Sequence, residues 1–79
     1  MPTLGEFVTR ARVYGYSKHT IRVPELRAKL VYLRRAEGDL VKLVELPAVS
    51  ESVRLAREVV RSLCATAGIP AEDFGVSDE

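Results

Sequence analysis

Two β-rich runs, Lys29 to Arg35 and Leu40 to Leu46, are separated only by Ala36, Glu37, Gly38 and Asp39. A connection that short returns the strand antiparallel, because a parallel return needs a crossover of roughly a dozen residues or more. Gly38 can supply the positive φ that a tight hairpin turn requires. The chain is therefore committed to a hairpin, and its 79 residues are enough for a single domain with a thin core. Apolar residues occur at both parities of the hairpin. Leu30 and Tyr32 oppose Val31 and Leu33, while Val41 and Leu43 oppose Leu40, Val44 and Leu46. Both faces should be partly buried. One layer of helices covers only one of them, so the second is expected to meet another subunit or a partner.

The flanking segments supply that layer. Thr3 followed by Glu6 has the spacing of a capping box, and Leu4, Phe7, Val8 and Ala11 then recur on one face of a helix that Gly15 ends. His19 to Val23 alternates as a short strand with His19, Ile21 and Val23 on one side, and Pro24 stops it. Pro47 closes the last strand. Ser50 or Ser52 is placed to cap a long second helix running to about Thr66, whose apolar stripe is Val53, Ala56, Val60, Leu63, Cys64 and Ala67, widened by Leu55 and Val59. Gly68 and Pro70 terminate it. Ala71 to Phe74 makes one more turn with Phe74 packing back, and Gly75 to Glu79 reads as an acidic tail. The expectation is an α+β domain over residues 1–79 with an ordered core at about 3–74. Its order is α-β-β-β-α, a three-stranded antiparallel sheet with both helices on one face.

Most enzyme chemistries lack their residues here. The chain has one cysteine and one histidine, with no glycine-rich phosphate loop, so cysteine-based zinc clusters, internal disulfides and nucleophile triads drop out and no cofactor is expected. No apolar run approaches the roughly 20 residues that span a bilayer, and Met1 to Leu4 lacks the basic start of a secretory signal. A cytoplasmic protein with no membrane partner is expected. Cys64 falls on the apolar stripe, where a buried, inert thiol is the natural reading.

Charge is the informative feature. The first 35 residues carry eight Lys or Arg against two Glu, a balance of +6, and the remainder carries four against nine, a balance of −5. Arg10, Arg12, Lys18, Arg22, Arg27, Lys29, Arg34 and Arg35 have few acids nearby in sequence and form the candidate RNA-binding set. An acidic protein is the other partner such a surface fits, and mutual neutralisation of the two halves is the plainer reading. Tyr14, Tyr16 and Tyr32 are candidates to stack on bases, or simply to pack. Arg54, Arg57 and Arg61 share a helix face, but Glu51 and Glu58 are spaced to pair with them, which makes that face a solvated one. His19 is the candidate catalytic base, because histidine alone has an ordinary pKa near neutrality; its bland alternative is a strand-edge histidine.

Glu6 to Tyr16, ending in Gly15 and Tyr16, and the run from Val59 to Ile69 followed by Glu72, Asp73 and Phe74 resemble the HicA toxin family. The first stretch looks like the family's first helix with its glycine-aromatic step, and the second like its closing helix and terminal turn. The resemblance implies a double-stranded-RNA-binding-like fold, messenger RNA interferase activity and a HicB antitoxin as partner. The family carries glycine, serine and histidine at the start of its second strand, where this chain has Leu26, Arg27, Ala28 and Lys29. The resemblance therefore implies an RNA-binding protein that cleaves weakly or not at all. The alternative is a homodimeric interaction module joined through the hairpin face, without nucleic acid.

Overall fold

Thr3 starts the first helix, α1 (Leu4–Val13). In the structure, a computed structural model that describes residues 1–76, the Glu6 N–H donates to the Thr3 hydroxyl at 3.1 Å and the Thr3 N–H to the Glu6 carboxylate at 3.0 Å. These two bonds satisfy donors that a helix start leaves open. They also hold the Glu6 carboxyl below its ordinary pKa, the backbone donor contributing most. Leu4, Phe7, Val8 and Ala11 are buried, as the spacing requires. Gly15 follows the helix at φ +89°, a conformation open to glycine at little cost.

The hairpin is β2 (Ala28–Glu37) and β3 (Leu40–Glu45), joined through Gly38 and Asp39. Gly38 has φ +63° and Asp39 does not share the positive sign, the pattern of a type II′ turn. β1 (Ser17–Val23) pairs antiparallel with the other edge of β2, giving the order β1-β2-β3. Register assigns the faces, since opposed residues point the same way. Lys18 opposes Leu33 and Leu33 opposes Val44, so one face carries Lys18, Arg22, Lys29, Val31, Leu33, Arg35, Lys42 and Val44. Leu33 and Val44 are fully buried in one cluster with Phe7, Ala11 and Val60, so both helices lie on this side. The opposite face carries His19, Ile21, Leu30, Tyr32, Arg34, Val41, Leu43 and Glu45, and none of these belongs to the buried core. The sheet is thus covered on one side and open on the other.

The second helix begins later than its serines suggest. α2 spans Arg57–Ala67 with Ala56 at its N-cap and no side-chain cap. Residues 50–56 instead form a strap across the start of α1. The Leu4 N–H donates to the Val53 carbonyl and the Gly5 N–H to the Glu51 carbonyl, each at 3.0 Å, and the Leu55 N–H returns to Pro2 at 2.9 Å. Helix through this stretch would spend those carbonyls on bonds to residues four further on, leaving donors of α1 unpaired. Val53 and Val59 consequently stay exposed, while Leu55 anchors the strap at 5% exposure. Glu51, being outside the helix, pairs with Lys18 and not with Arg54. A β-carbon on Gly5 would stand 3.3 Å from both Glu51 Cβ and its carbonyl oxygen, so glycine lets the strap lie close.

The C-terminal end is also more structured than expected. Phe74, in the 3-10 turn Ala71–Phe74, stacks on Phe7 with ring centroids 4.8 Å apart and planes at 22°. Val76 then turns inward and is buried at 1% exposure, its N–H donating to Ala71. The core therefore extends past Phe74, and of the expected tail, residues 77–79 lie outside the described residues. Among the described residues no helix is long and apolar enough to cross a membrane.

Candidate nucleic-acid interface

The candidate cations divide by face. Arg35 belongs to the fold: its guanidinium donates to the Tyr14 carbonyl at 3.1 Å, lies over the Tyr16 ring at 4.6 Å from the centroid, and pairs with Glu37. The hydrogen bonds to Glu37 raise the Arg35 pKa and lower that of Glu37. Arg10 points into a separate groove of about 940 Å³ beside Glu6, Asp73 and Phe74. Arg34 stands alone among the cations of the open sheet face. The other cations gather elsewhere.

β3 covers only part of β2. Its pairing runs from Glu37 back to Tyr32, after which the Leu46 N–H reaches the Val31 carbonyl at 2.9 Å. Beyond that point β1 and β2 continue alone, as a two-stranded arm of Ile21–Val23 against Ala28–Leu30, about 10 Å long. Arg22 and Lys29 are direct cross-strand partners on its helix-side face, and Lys18 lies on the same face nearer the helices. Like charges directly opposed weaken a sheet, so this pair persists at a cost to the arm itself. At the tip, Pro24 opens a 3-10 turn (Pro24–Leu26) and the Arg27 N–H closes it on the Pro24 carbonyl at 3.1 Å. Arg27 holds φ +50°, the one positive φ outside glycine among the described residues. Arg22, Arg27 and Lys29 then line one concavity of about 410 Å³ with Pro24 and Ala28.

Among the described residues Arg22, Arg27, Lys29 and Arg34 form no ion pair. Lys18 is bound to Glu51, whose carboxyl pKa it lowers, and Arg12 is close enough to lower it further. A basic strip therefore runs from Arg12 and Lys18 at the helix layer to Arg22, Lys29 and Arg27 at the tip. Arg57 and Arg61 are each engaged in contacts of their own.

His19 sits apart from the strip. It lies on the open face, stacked on Tyr32 with centroids 5.5 Å apart at 17°, and its Nε2 is 2.9 Å from the Ser17 hydroxyl. Of the candidate cations only Arg34 shares its face. A phosphate held by Arg22 and Lys29 is on the other side of the sheet from the imidazole, so the geometry brings together a binding strip and a histidine-tyrosine stack as two separate features. Of the tyrosines only Tyr32 is presented for stacking. Tyr16 is buried, donating to the Ala67 carbonyl at 2.5 Å with its pKa raised by burial, and Tyr14 donates to Asp73. Cys64 is buried and its thiol pKa is raised, chiefly by desolvation, which makes it a poor nucleophile. Among the described residues no group of three or more His, Cys, Asp or Glu is placed to hold a metal ion.

Two features of the interface lie beyond the expectations from sequence. The concavity depends on the tip turn, for which Pro24 is the available signal in the sequence and the left-handed Arg27 has none. Leu26, 74% exposed at that tip, is the other. No family model matches the chain, and neither a curated protein nor a solved structure matches it.

Proposed function

We propose that the protein binds RNA along the helix-side face of the β1–β2 arm, with Arg22, Arg27 and Lys29 holding backbone phosphates and Lys18 and Arg12 continuing the track. The observation that carries this reading is the convergence of three cations, none in an ion pair among the described residues, around one concavity at the exposed end of the arm. Ionic partners already present would have to be displaced, as Glu51 would be from Lys18; at Arg22, Arg27 and Lys29 the charge is available to a polyanion. The resemblance to HicA toxins supports the same reading. Leu26, Arg27, Ala28 and Lys29 occupy the place of that family's glycine, serine and histidine, so a site for cutting RNA is replaced by one suited to gripping it. The protein is then a toxin-type RNA-binding member that cleaves weakly or not at all, working in the reducing cytoplasm, with a HicB-like antitoxin as its protein partner.

Anisotropy of a labelled single-stranded RNA titrated with the protein tests this directly. Each phosphate neutralised on a single strand contributes about 0.7 to the slope of log affinity against log salt, so the arm's three cations predict a slope of about −2 or steeper. Absence of binding at low salt, or binding indifferent to salt, rejects the proposal. Degradation of the RNA on the same samples would instead identify a nuclease.

A second reading has its own observation. The open face presents Ile21, Leu30, Val41 and Leu43, all more than a third exposed, and its two charges, Arg34 and Glu45, are of opposite sign. Two copies can bring such faces together without net repulsion, burying apolar surface at roughly 25 cal/mol per Å². Light scattering is then expected to show a dimer that Leu43→Glu converts to monomer. A wild-type monomer at all concentrations removes this reading and leaves RNA binding untouched.

A further inference from the structure

An exposed leucine is ordinary on a protein surface and says nothing alone. Leu26 differs in where it stands and how it is held. It projects from the apex of the arm at 74% exposure, next in sequence to Arg27 and beside the concavity that Arg22, Arg27 and Lys29 line. Its backbone is fixed on both sides. Pro24 presets φ at the start of the turn, the Arg27 N–H closes it on the Pro24 carbonyl, and Arg27 is held in a left-handed conformation that residues with a β-carbon rarely adopt. An apolar tip on a hydrogen-bonded turn is presented where the surrounding charge attracts phosphate. Glu25 is the single acid at the tip, against Arg22, Arg27 and Lys29. The balance still favours a polyanion.

Resting on the RNA-binding reading, we infer that the arm tip is a wedge: Arg22, Arg27 and Lys29 take a backbone phosphate while Leu26 inserts against the adjacent base and unstacks it from its neighbour. Apolar side chains that separate base steps act in this way elsewhere, the phosphate interactions offsetting the broken stacking. Charge complementarity selects the occupant, since the three cations lining the concavity next to Leu26 attract a polyanion and give an apolar peptide nothing to bind. The wedge reads no sequence by hydrogen bonding. It favours steps that unstack easily, so preference among RNAs follows base stacking and not base identity.

The experiment uses the full chain and an adenine-rich single-stranded RNA containing one central 2-aminopurine, whose fluorescence rises when it leaves the stack. Anisotropy of an end label on the same RNA reports binding independently. Saturating wild-type protein should raise the 2-aminopurine signal. Leu26→Ser should keep the salt slope and bind within about tenfold of wild type while losing the rise, and Leu26→Phe should retain it. Saturated binding without a rise, or a rise unchanged in Leu26→Ser, overturns the wedge and leaves RNA binding standing. Absence of binding by anisotropy overturns both. Leu26 is exposed, so neither substitution disturbs the core and the variants report on the tip alone.

Discussion

Replacing Arg22, Arg27 and Lys29 together by alanine should weaken RNA binding by about a hundredfold at moderate salt, at about 1 kcal/mol for each phosphate interaction removed. The salt slope should become shallower by about 2, since each phosphate neutralised on a single strand contributes about 0.7. The slope is the more diagnostic number, because it reports how many phosphates are neutralised and does not depend on the sequence of the RNA. All three side chains are exposed and form no ion pair among the described residues, so the triple variant should keep the wild-type circular dichroism spectrum. It should even gain slightly in stability, as the Arg22–Lys29 repulsion across the arm disappears. Arg10→Ala, in the separate groove that none of the three arm cations lines, should leave affinity close to wild type. Equal weakening in Arg10→Ala and the triple variant would mean that net charge, and not the arm, holds the RNA.

The largest effect on stability should come from Phe7→Ala. Phe7 is completely buried and its ring stacks on Phe74, which ties the C-terminal turn to α1. Truncating a buried phenylalanine costs about 3–5 kcal/mol, and a domain of this length has only about 4–12 kcal/mol in total. The melting temperature should therefore fall by about 15 °C or more, as followed by circular dichroism. Phe74→Ala should cost less, because that ring is only half-buried. A shift of less than about 5 °C in Phe7→Ala would show that the core closes over the missing ring.

The parts of the molecule that are legible in sequence are those governed by neighbours along the chain. The capping box needs only Thr3 and Glu6, and the hairpin needs only a short glycine-containing connection, so both can be read directly. The start of α2 cannot. Ser50 and Ser52 have good capping chemistry, but the carbonyls of Glu51 and Val53 are claimed by α1, a tertiary demand that local propensity does not register. Val76 is hidden for the same reason, its burial depending on where α1 and α2 leave a gap. For the interface, the excess of cations is visible and their distribution is not. Alternation separates Arg34 from Arg22 and Lys29 once the register is known, but nothing adjacent to Arg35 announces that Tyr14 and Tyr16 will engage it. At the tip, the proline and the cations are in plain view in the sequence, yet their convergence depends on the left-handed turn at Arg27.

The strap over α1 also sets an order of events during synthesis. α1 has ten residues, fewer than the roughly 12–15 at which an isolated helix becomes even marginally stable in water. It emerges from the ribosome before Glu51 and Val53, the residues whose carbonyls complete its first turn, have emerged to meet it. The β1–β2–β3 meander, built from adjacent pairings, can assemble in that interval while the N-terminal segment still fluctuates. The beginning of the chain is then among the last parts to become native, and the basic arm is formed on a nascent chain whose helical layer is still incomplete.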